Sequence, residues 1–113
     1  MMTCTIVRYT VKPGLEELNA QLVRAVYREL ADLQPERFRY ATYVLDDGRS
    51  FVHVAEQDDG AKAPLSGLSA FKAFQAEIAE RCEWGPVVMR AEQVGRYVAG
   101  TSRALDAVVE AID

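Results

Sequence analysis

The segment FRYATYVLDDGRSFVHVAEQ (residues 38–57) decides the fold, because it contains two β-strands joined by a tight turn. Residues 38–46 and 50–57 are rich in aromatic and β-branched side chains, which favour strands. Between them stands Asp47-Gly48, a pair typical of hairpin turns, since both residues tolerate a positive φ. The segment therefore predicts an antiparallel hairpin centred on these two residues.

This turn also predicts which residues of the hairpin face each other. The expected pairs are Val44 with Phe51, Thr42 with His53, Tyr40 with Ala55, and Arg39 with Glu56, the last an ion pair. Because side chains alternate along a strand, one face collects Phe38, Tyr40, Thr42, Val44, Phe51, His53 and Ala55. The other face collects Ala41, Tyr43, Leu45, Val52 and Val54. Both faces are largely apolar, so we expect helices to cover one and a partner chain to cover the other.

The flanking sequence supplies the remaining elements of the fold. Residues 3–11 predict a first strand, and a helix of about five turns follows, with an apolar stripe of Leu15, Leu18, Leu22, Val26, Leu30 and Leu33. A second helix has the stripe Leu68, Phe71, Phe74 (or Gln75), Ile78 and Cys82, ends at EWGP (83–86), and precedes a last strand at 87–98. Thr101 or Ser102 caps a predicted C-terminal helix. The order is βαββαβ with an extra helix, an α+β, ferredoxin-like arrangement with a four-stranded antiparallel sheet.

Composition restricts the class of protein further. The chain has 113 residues, enough for one domain over 1–113, and a net charge of −4 without any basic run, which argues against a nucleic-acid partner. The first residues do not predict a signal peptide, and no apolar run is long enough to span a membrane. Cys4 and Cys82 lack metal-binding or disulfide-rich spacing. We therefore expect two reduced thiols in a cytoplasmic protein.

Three features resemble the antibiotic-biosynthesis monooxygenase group of the dimeric α/β-barrel superfamily. They are VKPG at 11–14 before the first long helix, the short hairpin, and LSAFKAFQAEI at 68–78 after the third strand. The resemblance spans roughly residues 3–98. It implies a homodimer whose two sheets pack face to face as a barrel, with helices outside. It also implies a ligand pocket between sheet and helices in each subunit.

Departures from the resembled pattern bear on cofactors. The haem-degrading branch has a haem-ligating histidine where Gln75 stands here, an asparagine at Val7 and a tryptophan near Leu65. Glutamine is a poor ligand for iron, so the sequence argues against haem degradation. A Glu-Trp pair that commonly ends the third strand is replaced by Glu56-Gln57. No flavin fingerprint or metal-ligand cluster is visible, and we expect the purified protein to contain neither haem nor flavin and to use no cofactor.

His53, the only histidine of the chain, is the candidate catalytic residue. It shares the aromatic hairpin face, and a neutral imidazole there suits a general base acting on a phenol or enol. The resemblance implies the same logic, because cofactor-free monooxygenases of this fold ionise an aromatic substrate whose anion then reacts with oxygen. The alternative is a core histidine hydrogen-bonded to Thr42 or Tyr40.

Five aromatic residues are candidates for substrate binding: Tyr9, Tyr40, Phe71, Phe74 and Trp84. Each has a structural alternative, since tyrosines fill half-buried strand positions and phenylalanines fill cores. Trp84 lies at a predicted helix–strand junction, where it could line a pocket mouth or close the end of the core. No metal site is predicted.

Three functions stay open at this stage. The first is cofactor-independent oxygenation, or isomerisation, of a small aromatic or polyketide-like compound. The second is a non-catalytic small-molecule binding or regulatory dimer. The third is a structural dimer whose pocket is filled by its own side chains. Pocket volume and the access of His53 to that pocket separate the third from the others.

Overall fold

The computed structural model describes residues 2–59 and 64–99, which form one four-stranded antiparallel sheet with helices on one face. The strands are β1 (Thr3–Val11), β2 (Phe38–Val44), β3 (Ser50–Gln57) and β4 (Cys82–Ala91). The helices are α1 (Glu16–Leu33), α2 (Ser69–Ala76) and α3 (Ile78–Arg81), and a 3₁₀ turn spans Leu65–Gly67. The strand order β2-β3-β1-β4 and the βαββαβ succession confirm the ferredoxin-like α+β prediction. Within the described ranges, no helix is long and apolar enough to cross a bilayer.

The predicted hairpin register is confirmed, although the turn is longer than expected. All four predicted pairs are present, and the Arg39 Nε donates to Glu56 at 3.3 Å. The Gly48 amide, however, donates to the carbonyl of Leu45, so Asp46 and Asp47 occupy the turn centre and Gly48 follows with φ of 73°. The Asp47 carboxylate explains this shape, because it accepts hydrogen bonds from both the amide and the hydroxyl of Ser50. These bonds and the Arg49 amide hold the pKa of Asp47 near 2.

Helix α1 packs on the sheet with a face rotated from the predicted one, which still keeps Val26, Leu22 and Leu30 against the core. Its buried residues are Asn19, Val23 and Val26, whereas Leu18 and Leu33 of the predicted stripe are exposed. The expectation for those two leucines was therefore wrong. The rotation follows from the core, because it brings the Asn19 amide to the buried hydroxyl of Tyr9 and keeps Val26 against the sheet.

The second predicted helix is broken into α2 and α3 at Glu77, whose φ of −131° is not helical. Its predicted stripe nevertheless faces inward: Leu68 and Phe74 are buried, and Phe71 and Ile78 pack against the core. Leu68 cannot cap the helix that follows it, so a carboxylate from α1 does so. Glu29 accepts from the Ala70 amide at 2.8 Å and ties α2 to α1.

The last strand begins five residues earlier than predicted, and the prediction of a strand to residue 98 was wrong. EWGP (83–86) belongs to β4 and does not merely end the helix, while residues 92–99 have no regular secondary structure. The strand passes Tyr9 at an irregularity in its register, where Gly85 has a φ of 82° and precedes a cis bond to Pro86. Absence of a side chain at Gly85 permits this approach. The predicted C-terminal helix lies outside the described residues.

Candidate functional site

A cavity of about 340 Å³ lies between the sheet and helices α2 and α3. Its walls are mostly apolar and come from every strand and from the helical segment. The lining residues include Val7, Phe38, Ala55, Leu65, Phe71, Phe74, Ile78 and Val88. The polar groups among them are Thr5, Tyr40, His53, Gln57 and Gln75. An apolar cleft of this volume with a few polar groups is typical of small-molecule sites.

His53 lies in the wall of this cavity, with both ring nitrogens engaged by tyrosines. Its Nε2 is 2.7 Å from the Tyr9 hydroxyl, and its Nδ1 is 2.6 Å from the Tyr40 hydroxyl. Thr42 Oγ1 lies farther from Nδ1, at 3.2 Å, and also hydrogen-bonds the hydroxyl of Tyr27. The imidazole therefore lines the cavity and also fulfils the core alternative, since it bonds both residues that were named for that role.

Behind His53 the hydrogen bonds continue into the core. The Tyr9 hydroxyl accepts from Asn19 Nδ2 at 2.9 Å, and Asn19 Oδ1 accepts from Arg81 Nε at 3.2 Å. Arg81 also donates to the carbonyl of Phe74 at 2.7 Å, and its guanidinium lies over the ring of that residue. Among the described residues, no buried side-chain nitrogen or oxygen lacks a hydrogen-bond partner.

Burial shifts the titration of this cluster away from neutral pH. It lowers the pKa of His53 to about 4, because a charged imidazolium is poorly solvated there. Burial likewise raises the pKa of Tyr9 and Tyr40 well above the ordinary value, and that of Tyr27 to about 12. At neutral pH the imidazole and the three phenols are therefore uncharged. The cluster presents dipoles to the cavity, and the charged guanidinium of Arg81 lies behind it, joined to Tyr9 through Asn19.

The structure brings together four of the six residues that the sequence nominated. His53, Tyr40, Phe71 and Phe74 line the cavity. Tyr9 lies behind the wall, fully buried, and contacts two residues that line the cavity, His53 through a hydrogen bond and Phe74 through its ring. Trp84 lies half-exposed on the other face of the sheet, opposite Thr10, with the Arg8 guanidinium 5.8 Å from its ring centre.

Two polar residues of the site were missed in the sequence. Asn19 stands four residues after Leu15 and four before Val23, so it interrupts an apolar helical spacing. That interruption was an available signal, because a polar residue on the buried stripe needs a buried partner. Arg81 offered no comparable signal, since its burial depends on the break at Glu77 and on β4 starting at Cys82.

The described residues contain another concave surface and two cysteines outside this cavity. A groove of about 600 Å³ runs between α1 and β2 on the far side of Phe38 and Tyr40, with the mixed charges of Arg24, Arg28 and Asp32. It is an open surface depression with charged side chains in its walls, whereas no charged residue among those described lines the inner cavity, so the inner cavity is the better candidate for an aromatic ligand. In residues 2–59 and 64–99 no three potential ligands cluster as a metal site. Cys4 and Cys82 are free and buried.

The buried imidazole predicts a loss of stability in mild acid. The unfolded chain takes up a proton at the ordinary pKa of 6.5, while folded His53 resists protonation until about pH 4. The stability that His53 provides above pH 6.5 is therefore lost as the pH falls from 6.5 to 4, by about 3 kcal/mol. Denaturant titrations of wild type and His53→Gln across this range measure how the free energy of unfolding changes with pH. The difference between the two profiles isolates the contribution of His53, because the carboxylates contribute to both. Parallel profiles would contradict the expectation.

Comparison with known proteins places the fold. No protein-family model matches the chain, and no curated protein matches it. Solved structures do: one described as an antibiotic biosynthesis monooxygenase superposes with a TM-score of 0.63 at 17% identity, covering 84% of this chain and all of that one. A protein of unknown function from Nitrosomonas europaea gives 0.66 at 19% identity, over 88% and 96% of the two chains.

A third structure, from the same organism and described as a proposed antibiotic biosynthesis monooxygenase, gives a TM-score of 0.64 at 15% identity, over 82% and 90% of the chains. These matches confirm the predicted resemblance at the level of the fold: this chain has the α+β, ferredoxin-like fold found in antibiotic biosynthesis monooxygenases. At such identities the likeness concerns the fold, and function has to be argued from the cavity.

Proposed function

We propose that the chain is a cofactor-independent monooxygenase, or isomerase, acting on a small aromatic or polyketide-like compound bound in the cavity. The observation that carries this proposal is a cavity of about 340 Å³ whose mainly apolar wall includes the hydrogen-bonded pair His53–Tyr40. A planar ring system suits the phenylalanine walls, and its phenol or enol oxygen suits the polar pair. Two of the similar structures are described as antibiotic biosynthesis monooxygenases, which supports a monooxygenase-like function for this fold.

The chemistry needs only a substrate that becomes electron-rich when it ionises. The anion of such a phenol or enol transfers electron density directly to oxygen, and a carbon–oxygen bond forms. One oxygen atom ends in a product carbonyl, and the other leaves as water with the two hydrogens that the substrate loses, one as its acidic proton and one from the carbon that is oxidised. Protein groups contribute by holding the ring, stabilising the anion and excluding bulk water.

Oxygen uptake tests this proposal. A panel of anthrones, quinols and flavonoids is incubated with protein to which no metal or cofactor has been added, and dissolved oxygen is followed. We expect at least one compound to be oxidised with one O₂ consumed per product. Ala55→Phe, which fills the cavity, should abolish turnover. The same change at exposed Ala73 of α2 should not.

A non-catalytic binding protein is the second candidate, and one observation favours it. Both nitrogens of His53 already have protein partners, so the imidazole has no lone pair left for direct proton abstraction. A compound that binds in the cavity without any oxygen uptake, in wild type and at saturating concentration, would decide for this function. A structural dimer with a filled pocket is disfavoured by the volume of the cavity.

We further propose that a second copy of the chain covers the face of the sheet opposite the helices. That face exposes Tyr43, Trp84, Val87 and Met89, and beyond β4 the side chains of Val94 and Tyr97 are almost fully exposed. Helices α1 to α3 all lie on the cavity side, so they leave these apolar groups uncovered. A closed pair of sheets would bury them.

Light scattering tests the proposed dimer. We expect twice the chain mass at micromolar concentration, and a monomer for Met89→Lys, because a buried unpaired ammonium opposes association. Leu18→Lys replaces an equally exposed apolar residue on α1 and should remain dimeric. A monomeric wild type would contradict the proposal, as would dissociation of both variants alike.

A further inference from the structure

The buried hydrogen-bond chain behind the cavity begins at a group that can only donate. Arg81 carries no acceptor atom, and its guanidinium stays protonated in proteins. Its Nε donates to Asn19 Oδ1 at 3.2 Å, and its Nη2 donates to the carbonyl of Phe74 at 2.7 Å. The amide of Asn19 is thereby oriented, with its oxygen toward Arg81 and its nitrogen toward Tyr9.

This orientation sets the direction of the next two bonds. Asn19 Nδ2 donates to the Tyr9 oxygen at 2.9 Å, so the remaining partner of that hydroxyl, His53 Nε2 at 2.7 Å, must receive its hydrogen. The opposite arrangement would leave the hydroxyl hydrogen of fully buried Tyr9 without an acceptor. His53 Nε2 is therefore an acceptor.

The proton of the neutral imidazole consequently resides on Nδ1, 2.6 Å from the Tyr40 oxygen. Tyr40 already accepts at that oxygen, which leaves its own hydrogen available to a third group. Tyr40 also lines the cavity. Read in order, the bonds run from Arg81 through Asn19, Tyr9 and His53 to Tyr40, and every one of them points toward the cavity.

We propose that Tyr40 is the hydrogen-bond donor by which the cavity recognises a planar apolar ligand carrying an acceptor oxygen, a ketone carbonyl or the corresponding enolate or phenolate. His53 is then a positioning residue, which holds Tyr40 as a donor, and it is not the base. Acting as a base through Tyr40 would require the bonds of His53 and Tyr9 to reverse together. The inference rests on the proposed function only in assuming that the ligand binds in the same cavity.

For the reaction proposed above, this polarity favours the ionised substrate. A donor aimed at the substrate oxygen stabilises the negative charge that develops there, and the released proton passes to water. The neutral state of the cluster suits this role, since burial holds His53 uncharged at neutral pH. Thr42, which lies beside Tyr40 and bonds Tyr27, is an alternative acceptor for the Tyr40 hydrogen.

Nitrogen NMR tests the direction of the chain without any ligand. Because the protein has a single histidine, ¹⁵N-histidine labelling gives one pair of ring signals that need no assignment. We expect Nδ1 protonated and Nε2 unprotonated at pH 7. Asn19→Asp keeps the shape of the side chain but replaces the donor by an acceptor. The Tyr9 hydroxyl should then donate to the new carboxylate and accept from His53, so that His53 changes to the Nε2-protonated form. An Nε2-protonated wild type would overturn the inference.

Ligand binding tests the role of Tyr40, with 9-fluorenone and fluorene as probes that share a skeleton but differ in the carbonyl. We expect fluorenone to bind roughly fivefold more tightly, and its carbonyl stretch to shift to lower frequency in the complex. Tyr40→Phe should abolish both the tighter binding of fluorenone and the shift of its carbonyl band, while leaving fluorene binding unchanged. Asn19→Asp should abolish the same two effects although the protein remains folded, because Tyr40 then donates its hydrogen to His53. Thr42→Val should preserve the shift.

The outcomes of these tests distinguish failure of the Tyr40 inference from failure of the proposed monooxygenase activity. A shifted carbonyl band without oxygen uptake by any compound supports the inference and refutes the monooxygenase. Fluorenone bound without a band shift, or a shift that survives Tyr40→Phe, overturns the inference and leaves the oxygenase proposal standing. Failure of both probes to bind overturns the inference as well.

Discussion

Replacement of Gly85 by alanine is expected to destabilise the protein by about 4 kcal/mol. A Cβ at this position would lie 2.8 Å from the carbonyl oxygen of Arg8 and 3.1 Å from the Cα of Tyr9. Both are backbone atoms of β1, an interior strand that cannot move aside without disturbing its pairs with β3. The φ of 82° adds strain for any residue with a side chain. Because Tyr9 anchors His53, we also expect ligand binding to weaken.

Gly48→Ala and Gly14→Ala are the matched controls, and chemical denaturation at one fixed protein concentration is the measurement. Both glycines have positive φ, of 73° and 92°, but a Cβ at either would meet nothing within 4 Å. They therefore report the cost of the backbone conformation alone, about 1 kcal/mol. If Gly85→Ala lost no more stability than these two, the close packing of β4 on β1 would be refuted.

The hairpin shows how far local sequence determines this fold. Asp47 and Gly48 fixed the position of the turn closely enough to predict that Thr42 pairs with His53, and this pair is present. The details of the turn did not follow, because they depend on the Asp47 carboxylate choosing the Ser50 amide and hydroxyl as partners. Alternation along a strand survives such local changes, whereas turn geometry responds to individual hydrogen bonds.

Errors in the sequence prediction arose where tertiary contacts outweigh periodicity. The leucine stripe of α1 included Leu18, yet the helix turns Asn19 inward because the hydroxyl of Tyr9 lies there. Hydrophobic periodicity assigns asparagine to the solvent-exposed face of a helix. It cannot anticipate a buried hydrogen-bond partner such as Tyr9, 10 positions away in the chain. Likewise, EWGP has the composition of a loop, and only the close approach of Gly85 to β1 makes it part of a strand.

The sequence predicted which face of the sheet the site residues occupy, but not the roles of those residues. Strand alternation placed His53 and Tyr40 on the helix-covered face, and both line the cavity. The volume of that cavity depends on where α2 and α3 lie, which is fixed by the Glu29 cap and by Arg81. The role of His53 depends on Asn19 and Arg81, two residues far from it in the chain. A strand pattern alone cannot distinguish a base from a positioning residue.

Replacement of Tyr9 by phenylalanine is the second large effect, with an expected loss of about 4 kcal/mol in the free energy of unfolding. The ring and its stacking on Phe51 at 5.6 Å are retained, so the loss comes from one oxygen. That oxygen bonds Asn19 Nδ2 and His53 Nε2. Without it both groups stay buried, and each loses a hydrogen-bond partner.

Tyr27→Phe is the control, because it removes a tyrosine hydroxyl from the same network at a position where less depends on it. The Tyr27 hydroxyl bonds Thr42 at 2.9 Å, and Thr42 keeps its contact with His53 Nδ1. We expect a loss of about 1 kcal/mol, the usual value for a single satisfied bond. Combining Tyr9→Phe with Asn19→Leu should cost less than the sum of the separate losses, since the second change removes a group that the first left unpaired. Strict additivity, or equal losses for the two tyrosines, would show that the hydroxyl of Tyr9 does not hold this network together.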